Sequence, residues 1–397
     1  MHIAVVSLGA FGHINPTLSV VTELVRRGVR VTYFTTENFR SIVEPTGADF
    51  VPVKSWMEGN DKHNKDKKDD QPEENVAAVV PFLFLNEAGS YIDDILAALE
   101  KDKPDAIMHD FAGIAGTMAA DVLKVPNIMI YTSYPSNESY SVAESFESTP
   151  ADHPLRIAAA QIAQSYAEKY GCRNMTVKEI FDGQGDLNLV MMQKRLVPNN
   201  ESFGDNFVFT GVQIGKRTAF GSWKAPNNGK PLLYSSLGTA FNNWPEYYPI
   251  LFDAVRDLDI NVFAALGAID PASLKDIPAN VEVAQMVPQL DILSQASVFI
   301  THAGMGGTGE AIYYGVPMIA IPQMDEQAIT ARQIEKTGLG VAFLDKSAIT
   351  SEKLKAAIVK LLEDSSYKNT ADDFSADMKS LGGFKASADA IMQFLKK

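Results

Sequence analysis

Two doubly wound α/β domains with parallel sheets are predicted by three features of this sequence. A strand, loop, helix rhythm begins at His2, the same rhythm begins afresh at Leu232, and a stretch rich in Gly, Pro, Asn and Lys separates them. A chain of 397 residues is also too long for one ordinary hydrophobic core and suits two domains with a cleft between them. The expected division is residues 1–210, a linker over 211–230, a second domain over 231–380, and a terminal helix in 381–397 able to pack back on the first domain.

The first strand, His2 to Leu8, is short and apolar and breaks at Gly9-Ala10-Phe11-Gly12. Asn15 and Pro16 then read as the N-cap and first residue of a helix, since a cap side chain satisfies a free N–H and proline lacks one. Gly28 ends it. Strand Val29 to Thr35, a helix around Asn38 to Thr46 stopped by Gly47, and strand Asp49 to Val53 continue the alternation. Asp61 to Glu74 interrupts with mixed charge and no apolar period, the pattern of a mobile loop rather than of a nucleic-acid patch. Strands return at Ala106 to His109, Asn127 to Tyr131 and Leu187 to Met192. After the linker come strands Leu232 to Ser236, Asn261 to Leu266, Val281 to Ala284, Val298 to Thr301 and Met318 to Ile321, with a helix over Tyr247 to Leu258. Amphipathic stretches at Ser351 to Glu363 and Ala386 to Leu395 close the chain.

Hydrophobic residues at 46% and charged residues at 21% describe an ordinary globular protein, neither disordered nor membrane-embedded. Lys and Arg number 35 against 49 Asp and Glu, so a net charge of −14 repels polyanions, and nucleic acid is not an expected partner. An anionic small substrate must therefore be held locally, by helix N-termini and a few donors. The single Cys172 cannot form an internal disulfide and reads as a spectator, and Met1 to Leu8 lacks the basic flank of a signal peptide, so a cytoplasmic enzyme is expected. The longest apolar run, Val76 to Leu85, contains Pro81 and falls short of the roughly 18 residues that span a bilayer. No transmembrane segment and no obligate protein partner are expected.

In doubly wound sheets ligands sit beyond the carboxyl ends of strands, so the loops there are where chemistry is expected. Gly9 to Pro16 follows the first strand, but it has Phe11 and Ile14 where a dinucleotide fingerprint needs glycines, which removes a dehydrogenase reading. It offers His13 instead, near a helix start whose partial positive charge favours a neutral ring able to act as a base. A cap or packing residue is the plainer reading. Asp110, at the end of a strand, is the candidate carboxylate behind that base, or else an N-cap for the next helix; His109 points the other way by strand alternation. Ser235-Ser236-Leu237-Gly238-Thr239 exposes hydroxyls and N–H groups suited to a diphosphate.

Thr301-His302-Ala303-Gly304-Met305-Gly306-Gly307-Thr308-Gly309-Glu310 is the most informative segment. A strand delivers His302, glycines allow close backbone approach, and a helix begins whose free N–H groups point at an anion. Glu310 is placed to accept from a sugar diol, or merely to compensate the helix dipole. Ile321 to Gln327 adds acceptors and an amide, Glu326 and Gln327 among them, of the kind hexose hydroxyls use.

With these segments in order, the chain resembles the nucleotide-sugar-dependent glycosyltransferases of the GT-B fold, two facing Rossmann-like domains, close to the bacterial macrolide and flavonoid type. Gly12-His13-Ile14-Asn15-Pro16, Ser236-Leu237-Gly238-Thr239, Val287-Pro288-Gln289, His302 to Gly306, Glu310 and Glu326-Gln327 carry the likeness. It implies an inverting transfer in which His13 deprotonates an acceptor hydroxyl, Asp110 steadies the imidazolium, and the oxygen displaces UDP without a metal. Gly12, Ser236, Gly238, Thr239, His302, Gly304, Gly306, Gly307 and Thr308 would then line the diphosphate. Met286, Val287 and Gln289 would meet the uridine, Glu310 its ribose, and Glu326 with Gln327 the sugar. Met286 stands where plant relatives stack uracil on tryptophan, and Gly306-Gly307 replaces a side-chain donor found in many relatives. Phe82, Tyr131 and Tyr134 are candidates for a lipophilic acceptor's cavity. A UDP-sugar epimerase of the same fold and a non-catalytic nucleotide-sugar-binding protein are the rival readings.

Overall fold

The computed structural model describes residues 1–57, 76–136, 141, 143–147, 149–173, 175–215, 221–238 and 244–396. They form two compact units, Met1–Gly215 with Gly382–Lys397, and Lys216–Leu381. Among the described residues no helix is long and apolar enough to cross a membrane.

The first unit holds seven strands: β1 His2–Val6, β2 Arg30–Thr36, β3 Asp49–Val53, β4 Ala106–Asp110, β5 Asn127–Tyr131, β6 Leu187–Val190 and β7 Phe207–Phe209. Every pairing is parallel and the order is β3-β2-β1-β4-β5-β6-β7. Because side chains alternate along a strand and both faces are covered, all five residues of β1 are buried. Ile3 and Val5 join a core with Val20, Val21 and Leu24 of the helix Phe11–Arg26, and with Ala388 and Ile391 of the helix Gly383–Phe394. Ala4 and Val6 join the opposite core with the helix Val76–Lys101. The terminal helix is thus part of the first unit, tied by Ser387 Oγ to Thr210 Oγ1 at 2.9 Å and by an ion pair between Arg27 and Asp389.

The second unit holds β8 Leu232–Ser236, β9 Asn261–Ala265, β10 Val281–Ala284, β11 Val298–Thr301, β12 Met318–Ala320 and β13 Gly340–Ala342. Its order is β10-β9-β8-β11-β12-β13, again all parallel. In each unit the winding direction reverses between two central strands, β1 and β4 in one, β8 and β11 in the other. Ligand crevices of doubly wound sheets open beyond the carboxyl ends of such strand pairs.

Several expectations are corrected. The first helix begins at Phe11, with extended Ala10 as N-cap, so Asn15 is not a cap and Pro16 is the sixth helical residue. Proline there has no N–H for the Gly12 carbonyl, a loss the rest of the turn tolerates while His13 and Ile14 N–H both bond Ala10 O at 3.0 Å. The run from Val76, expected only as an apolar stretch, is a helix of 26 residues with Pro81 near its start. β7 and β13, three residues each, are too short to show a period and were not anticipated. The charged segment Asp61 to Glu74 lies outside the described residues. Cys172 is buried, and burial pushes its thiol up to about 11, which keeps it unreactive.

Candidate active site

In the first unit the helix Phe11–Arg26 leaves the end of β1 and carries His13 in its first turn, while β4 ends on Asp110. Adjacent parallel strands bring these residues together across 97 positions: His13 Nδ1 lies 2.7 Å from Asp110 Oδ2. The Asp110 side chain is wholly buried and the His13 ring 17% exposed. Asp110 Oδ1 accepts from the N–H groups of Ala112 at 2.9 Å and Gly113 at 3.0 Å. One oxygen thus ties the turn after β4 and the other meets the histidine, whereas the next helix has Gly113 as its N-cap with no side-chain cap, so Asp110 is not that helix's N-cap. Burial alone would push the Asp110 carboxyl up; the His13 ring, by charge and by hydrogen bond, outweighs it and holds the carboxyl below its usual range. An ionised carboxylate only accepts, so Nδ1 carries the proton and a neutral ring presents a lone pair at Nε2. Phe111 packs on the ring with centroids 5.7 Å apart. His109 faces the other way, buried against Asn127 and Thr117, a structural residue.

In the second unit β8 ends at Ser236 and β11 at Thr301, followed by His302, Ala303 and the N-cap Gly304 of the helix Met305–Tyr314. Ala303 sits at φ +62°, a conformation costly for any residue with a side chain. Burial lowers the His302 ring to about 4, so it is neutral near neutral pH. Two glycines make its berth. A Cβ on Gly238, itself at φ +92°, would lie 3.0 Å from His302 Cε1, and one on Gly304 would collide with Nε2. His302 Nδ1 and Thr308 Oγ1 are buried with no hydrogen-bond partner among the described residues. Leaving such atoms unsatisfied costs about 1–3 kcal/mol each, an expense that a polar ligand removes. Among the described residues nothing lies within 4 Å of a Cβ placed on Gly306 or on Gly12, so both backbones are open to close approach.

Behind this turn Gln289 Nε2 donates to Glu310 Oε2 at 2.6 Å, and Tyr234 Oη donates to Gln289 Oε1 at 3.0 Å. Gln289 is thus engaged at both ends of its amide rather than reaching outward as a reader of a base. Met286 is 44% exposed after β10, and Val287 is half-buried with its carbonyl accepting from Gln289 N at 2.9 Å. In the first turn of the helix Asp325–Lys336, Glu326 is exposed and Gln327 buried. Gln327 Oε1 already accepts from Gln323 N at 2.8 Å, which leaves its NH₂ as the group it can offer a sugar.

Thr239 lies outside the described residues. Tyr131 and Tyr134, proposed for an acceptor cavity, are 3% and 2% exposed and belong to the core; Tyr131 Oη is committed to Gly183 O at 3.0 Å. Phe82 packs on Trp56 at 6.1 Å. A cavity of about 610 Å³ does exist in the first unit, but other residues line it, Pro81, Phe146, Ala159, Ala160 and Met175 among them. Phe111 was not read from the sequence as a neighbour of His13, because that contact depends on which strand end lies alongside.

Residues 249–383 match the family model of the erythromycin biosynthesis protein CIII-like C-terminal domain. NDP-glycosyltransferase YjiC of Bacillus subtilis is 35% identical over 100% of this chain and 98% of its own length. Oleandomycin glycosyltransferase of Streptomyces antibioticus is 31% identical over 98% of this chain and 90% of its own length. Among solved structures, the kitacinnamycin glycosyltransferase superposes with a TM-score of 0.88 at 28% identity, covering 99% of each chain. The calicheamicin glycosyltransferase CalG4 gives 0.86 at 29%, covering 100% of this chain and 98% of that one. The chain belongs to the NDP-glycosyltransferase family and is a glycosyltransferase of the natural-product type with the GT-B fold.

Proposed function

We propose that this enzyme moves a hexose, glucose foremost, from a UDP-sugar to a hydroxyl of a small lipophilic acceptor, with inversion at the anomeric carbon. The observation that carries the reading is the 2.7 Å hydrogen bond between His13 and Asp110. His13 Nε2 takes the acceptor's hydroxyl proton as the oxygen bonds to the anomeric carbon. The bond from that carbon to the diphosphate breaks, and UDP leaves with the electron pair. A positioned base of this kind contributes roughly 10²–10⁴ in rate. A buried carboxylate behind it stabilises the imidazolium that forms.

For the donor, His302, Ser236, Gly238, Thr308 and the N–H groups at the start of the helix Met305–Tyr314 would hold the diphosphate. Their backbone and ring donors meet the charge that develops on the leaving group, so the reading requires no metal. The Glu310 carboxylate, acceptor-only when ionised, suits the ribose diol, and Glu326 with the Gln327 NH₂ suits the hexose. For the acceptor, a cavity of about 610 Å³ is within the range of small-molecule sites. A run of rings leads from the base to its wall: His13 to Phe111 at 5.7 Å, Phe111 to Phe84 at 6.3 Å, Phe84 to Phe181 at 6.2 Å and Phe181 to Phe146 at 4.8 Å. Phe181 in that run is buried core, and it is the cavity's own apolar lining, Pro81, Phe146, Ala159 and Met175 among it, that supports a lipophilic acceptor.

Incubating the protein with a panel of UDP-sugars and with polyphenols, terpenoids and macrolides tests the reading by mass spectrometry. A product heavier by one hexosyl unit, with its anomeric configuration opposite to the donor's by NMR, is expected. Free epimerised sugar formed without acceptor would favour the epimerase instead, and binding of UDP-sugar with no turnover on any acceptor would leave only a binding protein.

A further inference from the structure

Tyr234 carries no part of the chemistry above, yet it sits at the centre of the second unit's polar network. It is wholly buried, and its position in β8 is registered directly opposite Phe299 in β11, so the two rings stack at 4.9 Å with planes 7° apart. That stacking fixes where its hydroxyl points. The hydroxyl donates to Gln289 Oε1 at 3.0 Å, and Gln289 Nε2 donates to Glu310 Oε2 at 2.6 Å. A continuous chain therefore runs from Tyr234 through Gln289 to Glu310, and buried chains of this kind reinforce one another.

An amide has two faces, and turning it by 180° exchanges its oxygen and nitrogen. The Glu310 carboxylate only accepts and so takes the amide N–H, and the Tyr234 hydroxyl, donating to Oε1 from the other side, holds the amide in that place. Turned the other way, Gln289 would present its oxygen to a carboxylate and push it aside.

We propose that Tyr234 is a positioning residue for the nucleotide: through Gln289 it orients Glu310 to accept both hydroxyls of a ribose, and so sets a preference for ribonucleotide over 2′-deoxyribonucleotide donors. This rests on the assignment of Glu310 to the donor's ribose under the proposed function. Burial pushes the Tyr234 phenol well above its usual range, so the donor is in place at every working pH.

The test is Tyr234→Phe, which keeps the stacked ring and removes one hydroxyl. Steady-state kinetics would be measured with UDP-glucose and with its 2′-deoxyribose analogue, alongside calorimetric binding of UDP. The expected outcome is a KM for UDP-glucose raised about tenfold with kcat within about twofold, and a smaller rise for the deoxy donor, so that the preference narrows. Gln289→Leu should reproduce the narrowing and serves if Tyr234→Phe melts early. A KM that does not move, or an equal rise with both donors, would overturn the positioning role. Wild-type protein that binds no UDP would overturn the donor assignment itself, whereas wild type that binds and turns over normally beside an unaffected variant would overturn only this inference.

Discussion

Asp110 divides its carboxylate between two tasks, one oxygen 2.7 Å from His13 Nδ1 and the other accepting from the Ala112 and Gly113 N–H groups. That division makes Asp110→Asn an informative variant. Its amide oxygen can still cap the turn, but its NH₂ would face Nδ1 and force the proton onto Nε2, where a base needs a lone pair. Transfer should fall by roughly 10²–10⁴ while UDP-sugar binding, measured by calorimetry, is unchanged. Near-normal kcat would show that the carboxylate does not set the tautomer.

The same pair bears on acid stability. The Asp110 carboxyl lies below its ordinary range in the folded protein, so its contribution is full above the unfolded value of about 3.9 and is lost as pH falls through the folded value. Thermal melts from neutrality down to strong acid should therefore show a flatter acid limb for Asp110→Asn than for wild type. Parallel limbs would mean that the pair adds no pH-dependent stability.

His302 is neutral in the empty site because burial lowers it to about 4. A bound diphosphate places negative charge near the ring and raises that value, so binding takes up a proton. Affinity for a UDP-sugar, whose diester phosphates do not themselves titrate near neutrality, should rise as pH falls toward 4 and level off below it. Titration calorimetry in buffers of different ionisation enthalpy measures the uptake directly. His302→Asn should abolish it, and the idea is lost if proton uptake persists in that variant.

The glycines around the diphosphate turn make opposite predictions. Gly304→Ala would drive its Cβ into His302 Nε2 and displace the ring, weakening donor binding about tenfold or more. Gly306→Ala meets nothing within 4 Å and sits in a helix, so the fold should gain about 0.5–1 kcal/mol. The added methyl should nevertheless raise the donor KM by crowding the diphosphate. Denaturant titrations paired with donor KM separate the two effects, and a Gly306→Ala variant with unaltered KM would remove that glycine from the site.

Ala160 is exposed on the helix Pro154–Tyr170 and, with Phe146, lines the cavity proposed for the acceptor. Ala160→Trp should narrow it and raise KM for bulky acceptors about tenfold, with little change for small phenols. Equal effects on large and small acceptors would place the acceptor elsewhere.

Most of the α/β alternation could be read from the sequence because parallel strands buried on both faces appear as short apolar runs broken by glycine. Residues at strand ends, His13, Asp110, Ser236 and His302, were legible for the same reason, since doubly wound sheets put ligands there. Pairing His13 with Asp110 needed the neighbouring of β1 and β4, which strand ends suggest but do not dictate. Asn15-Pro16 misled because its local signature of a helix start competes with a turn already formed from Ala10. Tyr131 and Tyr134 looked like cavity walls because aromatic residues near strand ends can face either way. The role of Tyr234 depends on a register with Phe299 that no local pattern encodes, and the engagement of Gln327 depends on the path of a loop.

The most direct test of the account compares His13→Ala with wild type on two acceptors, an aliphatic alcohol and a phenol acidic enough to be ionised at the assay pH. A base is needed only where a proton must be removed, so kcat should fall by roughly 10²–10⁴ on the alcohol and by far less on the phenolate. An equal loss on both acceptors would make His13 a binding residue, and no loss on the alcohol would end its assignment as the base.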